Sequence, residues 1–180
     1  MLLGMIVLMA GLPGTGKTSL ARALAARTSP RSSGRILSKD EFRHAIFLPA
    51  EIEYSSAQDD FCLRLMLETA GYLLSRNPAR IIFLDGRPFS RRYQIDNVVA
   101  AAASLQQPWK ILECVCSEET ARQRLEADAA GSAHPAENRN FSLYLEVKAR
   151  FEMITLPKTV IDTDRPLESC VQRALAALES

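Results

Sequence analysis

Apolar runs of strand length alternate with stretches of helical period along almost the whole chain. The runs Met5–Ala10, Arg35–Ser38, Arg80–Leu84, Lys110–Cys116 and Thr159–Ile161 predict strands. Between and after them, Thr18–Arg27, Lys39–Phe47, Ala57–Arg76, Ser90–Gln106, Glu118–Ala129, Phe141–Ile154 and Leu167–Leu178 carry apolar stripes at i, i+3, i+4 spacing and predict helices. Alternating strands and helical stretches imply an α/β domain whose mostly parallel sheet has helices on both faces.

Punctuation agrees with this parsing. Asn77-Pro78 ends one helix, Ser117-Glu118-Glu119 opens another, and Pro166 stands where a first helical turn tolerates proline. There is no repeat, low-complexity tract or linker, so residues 1–180 read as one domain. Gly131–Asn140 is its most polar and least periodic stretch, and residues of about 129–141 read as a lid between two helices.

The first strand runs into Gly11-Leu12-Pro13-Gly14-Thr15-Gly16-Lys17-Thr18, which satisfies G-x-x-x-x-G-K-[ST], and the next helix starts at once with Ser19-Leu20-Ala21. Small residues let successive backbone N–H groups face phosphate oxygens, and the helix N-terminus adds favourable partial charge. Gly11, Pro13, Gly14, Thr15, Gly16, Lys17, Thr18 and Ser19 therefore read as nucleotide-binding. Lys17 neutralises the β- and γ-phosphates, while Thr18 places its hydroxyl on Mg²⁺.

A phosphate loop alone leaves kinase, hydrolase and switch open. Acceptor chemistry is offered by Ser38-Lys39-Asp40-Glu41-Phe42-Arg43-His44, at the carboxyl end of the second strand where parallel sheets open a ligand crevice. Asp40 and Arg43 share a helix face, so the carboxylate can take a hydroxyl proton while the guanidinium holds an acidic group. His44 reads as a helix residue and no more. The third strand leads into Asp85-Gly86-Arg87, where Asp85 can act on Mg²⁺ or its water, Gly86 permits close backbone approach, and Arg87 is a ligand candidate; Arg91 and Arg92 suit a solvated face.

Arg122, Arg124 and Arg139 bracket the lid, and an arginine delivered with lid closure stabilises phosphoryl transfer. Spacing leaves open which of them acts, since Arg122 and Arg124 are two apart on a helix and point in different directions. Ile161-Asp162-Thr163-Asp164-Arg165-Pro166 either lines the base, through Thr163 and Arg165, or is a capped strand-to-helix turn.

Composition narrows the class further. With 22 Lys+Arg against 21 Asp+Glu, the formal charge of +1 argues against a broad nucleic-acid-binding face. Met5–Ala10 is far below the roughly 20 apolar residues of a membrane span, and the expectation is a soluble, cytoplasmic protein without membrane partners. Cys114 and Cys116 read as small hydrophobes on one strand face, and Cys62 and Met66 as core.

With these residues in place the chain resembles the P-loop kinases of the polynucleotide-kinase, zeta-toxin, chloramphenicol-phosphotransferase and gluconate-kinase kind, often labelled AAA-family ATPases. The resemblance covers nearly the whole chain through Gly11–Thr18, Asp40 with Arg43, Asp85-Gly86, the helix at Ala121–Leu125 and Ile161-Asp162-Thr163. The segment Asp85–Arg92 also resembles proteins labelled adenylylsulfate-kinase-like. The resemblance implies a three-layer P-loop NTPase fold of the nucleoside-monophosphate-kinase kind, with a five-stranded sheet and a helical lid. It further implies Asp40 as base or substrate anchor, Arg43 on the acceptor, and a lid arginine on the phosphates. Relatives often carry another basic residue late in the helix before the lid, where Glu126 and Asp128 stand here.

The function expected is transfer of the γ-phosphoryl group of Mg·ATP, with GTP left open, to a hydroxyl of a nucleoside-like metabolite or antibiotic by a monomer or homodimer. A polynucleotide 5′-hydroxyl kinase acting on a single-stranded end is the alternative, and an ATP-hydrolysing switch the third.

Overall fold

All six residues of β1, Met5–Ala10, are buried, and they form the middle strand of a parallel sheet. The computed structural model describes residues 4–27, 34–131 and 140–179. Within them the sheet comprises β1, β2 (Arg35–Ser38), β3 (Ile81–Asp85), β4 (Trp109–Val115) and β5 (Thr159–Asp162) in the order β2-β3-β1-β4-β5. Every adjacent pair is parallel, with Val7 opposite Phe83 on one side and Lys110 on the other.

Alternation along β1 divides the core into the two layers that the helices cover. Ile6, Leu8 and Ala10 face Leu63, Met66 and Ala70 of α3 (Ser56–Arg76) and Ile95 and Val98 of α4 (Arg92–Ser104). Met5, Val7 and Met9 pack with Leu20 and Leu24 of α1 (Lys17–Arg27) and Val171 and Leu178 of α7 (Leu167–Glu179). Each fully buried Val, Leu or Ile contributes about 1.5–3 kcal/mol. The expected three-layer arrangement is therefore present, and Cys62, Met66 and Cys114 are core residues. Among the described residues, no helix is long and apolar enough to cross a membrane.

The remaining helices are α2 (Lys39–Ile46), α5 (Glu118–Gly131) and α6 (Phe141–Ala149). Two expectations need correction. Helix α6 ends at Ala149 rather than Ile154, because the Glu152 N–H leaves the helical ladder for Ser90 O at 2.9 Å and Ile154 turns into the core. Helix α4 begins at Arg92 rather than Ser90, since Phe89 takes φ 54°, and it stops at Ser104 before Gln106 at φ 53°. Between α2 and α3, where no element is expected, a 3-10 turn spans Pro49–Glu51. Of the expected lid, residues 132–139, Arg139 among them, lie outside the described residues.

Parallel pairing brings the carboxyl ends of β1, β2 and β3 to one edge, with Ser38 opposite Asp85. The residues that follow, Gly11, Lys39 and Gly86, start the loops and helix that build the site.

Candidate active site

The phosphate loop wraps the start of α1 as its sequence requires. Gly14 takes φ 78°, and a Cβ there would meet Ala121 O at 2.9 Å, so neither backbone nor space admits another residue without strain. Lys17 is buried, and its Nζ donates to Gly11 O at 2.8 Å and Leu12 O at 2.7 Å.

Thr18 Oγ1 donates to Asp85 Oδ2 at 2.7 Å, joining the two residues expected to serve a metal. Asp85 is buried, and its Oδ1 has no hydrogen-bond partner among the described residues. A buried carboxylate oxygen without a donor is costly, and a divalent cation or its water supplies what is missing. No group of three or more His, Cys, Asp or Glu side chains forms a metal cluster among the described residues. The donor set thus fits Mg²⁺ held by a hydroxyl, a carboxylate, phosphates and water, the pattern of nucleotide sites.

On the acceptor side the second strand hands over to α2 through Ser38, whose side chain caps the helix by accepting from Glu41 N. Asp40 and Arg43 meet as their spacing predicts, Nη1 donating to Oδ1 at 3.0 Å. Arg43 is only 1 % exposed, however, and each of its nitrogens has a protein partner. Nε donates to Gln58 Oε1 at 3.1 Å, Nη2 pairs with Asp59, and the guanidinium lies 5.0 Å from the Tyr54 ring centroid. Lys39, also buried, reaches Asp59 at 2.9 Å and Asp40 at 3.5 Å. Lys39, Gln58 and Asp59 are not among the residues expected from the sequence; the juxtaposition of α2 with the start of α3 makes them site residues, and no local signal announces it. His44 is exposed, in keeping with its reading as a helix residue.

Gly86 takes φ 86°, and a Cβ there would press on Lys39 N at 3.0 Å, so β3 and α2 approach through this residue. Beyond it Arg87 is buried and paired with Asp60 at 2.6 Å. Arg91 pairs with Glu152 at 2.9 Å, whereas Arg92 is largely exposed against Asp96.

The arginines of α5 diverge. Arg122 lies 3.8 Å from the Phe141 ring centroid, packed on the start of α6. Arg124 donates to Thr163 Oγ1 at 3.0 Å, to Thr163 O at 2.7 Å and to Gly14 O at 3.4 Å. Thr163 Oγ1 is in turn 3.0 Å from Thr15 O, so the turn after β5 and the phosphate loop are tied through one guanidinium. Arg165 is exposed beside Asp162 at 3.4 Å.

Two cavities flank this edge. One, of about 470 Å³, is lined by Gly14, Gly16, Arg124, Thr163 and Arg165 on the nucleotide side. The other, of about 280 Å³, is lined by Lys39, Arg43, Arg87 and the α6 residues Leu143 and Val147. Thr18, Asp40, Asp85 and Gly86 line both.

Comparison with solved structures gives the same architecture. The protein APE1195 superposes with a TM-score of 0.77 at 21% identity, covering 99% of this chain and 97% of its own. The adenylylsulfate (APS) kinase CysC of Mycobacterium tuberculosis, in complex with AMPPNP and APS, gives 0.70 at 18% identity and 100% of both chains. A gluconokinase from Sinorhizobium meliloti 1021 gives 0.68 at 19% identity, covering 98% of this chain and 91% of that one. Identities this low carry the fold and no more. No curated protein sequence matches the chain. The family model AAA_33, described as an AAA domain, matches residues 6–153, from β1 through the segment after α6, and the chain therefore belongs to that family with a P-loop kinase fold.

Proposed function

We propose that the protein transfers the γ-phosphoryl group of Mg·ATP to a hydroxyl of a small molecule. The observation that carries this reading is that Thr18, Asp40, Asp85 and Gly86 form the common wall of a nucleotide-side cavity and a second cavity large enough for an acceptor. A hydrolase needs room for water alone, whereas the second cavity is built from α2, the β3–α4 loop and α6.

In this reading Asp40 accepts the acceptor's hydroxyl proton as the new O–Pγ bond forms and the bond to the β-phosphate oxygen breaks, leaving ADP. Lys39 and Arg43 orient the Asp40 carboxylate. Lys17 moves from loop carbonyls to phosphate oxygens. Mg²⁺, when held by Thr18 and Asp85, supplies charge neutralisation on the phosphates. Positioning and electrostatics account for the rate, since such transfer asks little covalent work of the protein.

The direct test incubates the purified chain with Mg·[γ-³²P]ATP and two acceptor pools, hydroxylated small molecules and 5′-hydroxyl oligonucleotides. Label on a small molecule is the expected result. Label on oligonucleotide alone replaces the reading by end-phosphorylation, and free phosphate alone in both pools overturns it in favour of a hydrolytic switch.

A further inference from the structure

Arg87 is held from one side only. Its side chain is 2 % exposed, and Nη2 pairs with Asp60 Oδ1 at 2.6 Å and reaches Tyr93 Oη at 3.4 Å. Tyr93 Oη lies 3.2 Å from the same Asp60 carboxylate, which fixes the guanidinium plane. Nε and Nη1 are buried and have no hydrogen-bond partner among the described residues. Leaving charged donors unmatched costs more than a made hydrogen bond returns, so such an arrangement calls for an acceptor from outside the protein.

Arg87 lines the smaller cavity, and so does Arg150 at the C-terminal end of α6. The guanidinium of Arg150 has no partner among the described residues. The other cations of this wall are matched: Lys39 and Arg43 by Asp40 and Asp59, Arg91 by Glu152, and Lys17 by the Gly11 and Leu12 carbonyls. What the cavity lacks is an anion placed between the β3–α4 loop and α6.

Resting on the reading of this cavity as the acceptor site, we infer that the acceptor carries an anionic group, a phosphate, sulfate or carboxylate, bound by Arg87 and Arg150. Arginine suits such groups because its planar donors give short, charge-assisted hydrogen bonds. A cationic acceptor such as an aminoglycoside meets repulsion at the same place.

The test saturates the full chain with Mg·AMPPNP, so that the phosphate loop is filled, and titrates sodium sulfate against sodium chloride at equal ionic strength. Sulfate at tens of millimolar should raise Tm by about 3 °C beyond chloride in the wild type. The rise should largely vanish in R87M and in R150Q and be partly kept in R87K. Affinity for Mg·AMPPNP, measured on each variant, reports that it folds, and R150Q alters an exposed residue should R87M fail. Equal effects of sulfate and chloride, or an undiminished rise in both R87M and R150Q, overturn the inference.

A second arm offers Mg·[γ-³²P]ATP with matched acceptors: adenosine 5′-monophosphate against adenosine, glucose 6-sulfate against glucose, and gluconate against glucitol. The anionic member of one pair should be labelled at least about tenfold faster, with KM raised about ten- to a hundredfold in R87M; which pair responds identifies the anion. Neutral members labelled equally fast overturn the inference. Label on no acceptor counts against the kinase reading, while the sulfate titration still decides the anion site.

Discussion

The hydroxyl of Thr18 and the carboxylate of Asp85 lie 2.7 Å apart although 67 residues separate them in the chain. The contact forms because β1 and β3 are neighbours in the sheet, so the helix after one and the last residue of the other meet at the same edge. It defines the place where a divalent ion is expected and makes the first prediction specific. Asp85→Asn should raise the Mg²⁺ concentration for half-maximal ADP formation about 10- to 100-fold. A Mg²⁺ titration of wild type and variant checks this, and an unchanged midpoint removes Asp85 from the metal site.

Lys17 and Asp40 should fail differently. Lys17→Ala removes charge from the phosphates and should cost about 10²-fold or more in kcat. Asp40→Asn should abolish phosphoryl transfer while leaving Mg·AMPPNP binding within about twofold of wild type. Single-turnover transfer alongside equilibrium binding separates the two, and near-normal transfer by Asp40→Asn would show the base to be elsewhere.

Arg43 is a stability residue as much as a site residue. Arg43→Met leaves Asp40 and Asp59 without their buried partner and should destabilise the chain by about 3–5 kcal/mol. Urea denaturation measures it; a loss below about 1 kcal/mol would mean that the network relaxes around the gap.

The two arginines of α5 give a contrast on one helix. Arg124 ties Thr163 to Gly14, so Arg124→Ala should weaken Mg·AMPPNP binding about tenfold, in keeping with the loss of charge-assisted hydrogen bonds. Arg122, stacked on Phe141 and lining neither cavity, should change it less than about twofold when replaced by alanine, because a cation–π contact is what is lost. Calorimetric titration of both variants decides, and equal effects would erase the distinction.

Glu152 should imprint a pH dependence. The Arg92 N–H first, and the Arg91 guanidinium after it, hold its carboxyl below the ordinary value of 4.5. The unfolded chain therefore binds the proton more readily, so the stabilisation is present above about pH 4.5 and is lost as pH falls through the lower folded value. Glu152→Gln should lower Tm relative to wild type near pH 7, with the gap closing as pH falls below 4.5 and through the lower folded value. A gap that persists unchanged at acid pH would place the effect outside Glu152 ionisation.

What could be read in advance is what is contiguous. Gly11–Thr18 is a single stretch whose glycines, lysine and threonine act together, and Asp85 announces itself by ending a wholly apolar strand. The pairing of Asp40 with Arg43 follows from helical spacing alone. Asp59 and Asp60, by contrast, look like acidic residues in the first turn of a helix, and only the packing of α3 against α2 and the β3–α4 loop gives each an arginine. The end of α6 was hidden for a similar reason: its apolar period continues to Ile154, but Ser90, some 60 residues earlier, draws the backbone out of the helix. Tertiary partners leave no trace in local periodicity.

Lys17 also says how the loop chooses its occupant. Because its ammonium is already held by contacts that include Gly11 O and Leu12 O, an incoming anion wins only what it offers beyond them. A halide or a lone carboxylate offers little more, whereas a polyphosphate replaces both oxygens and engages the loop's N–H groups in the same event. Under the proposed function the loop acts as an exchange filter, its selectivity against common monovalent anions coming from the contacts it must first give up.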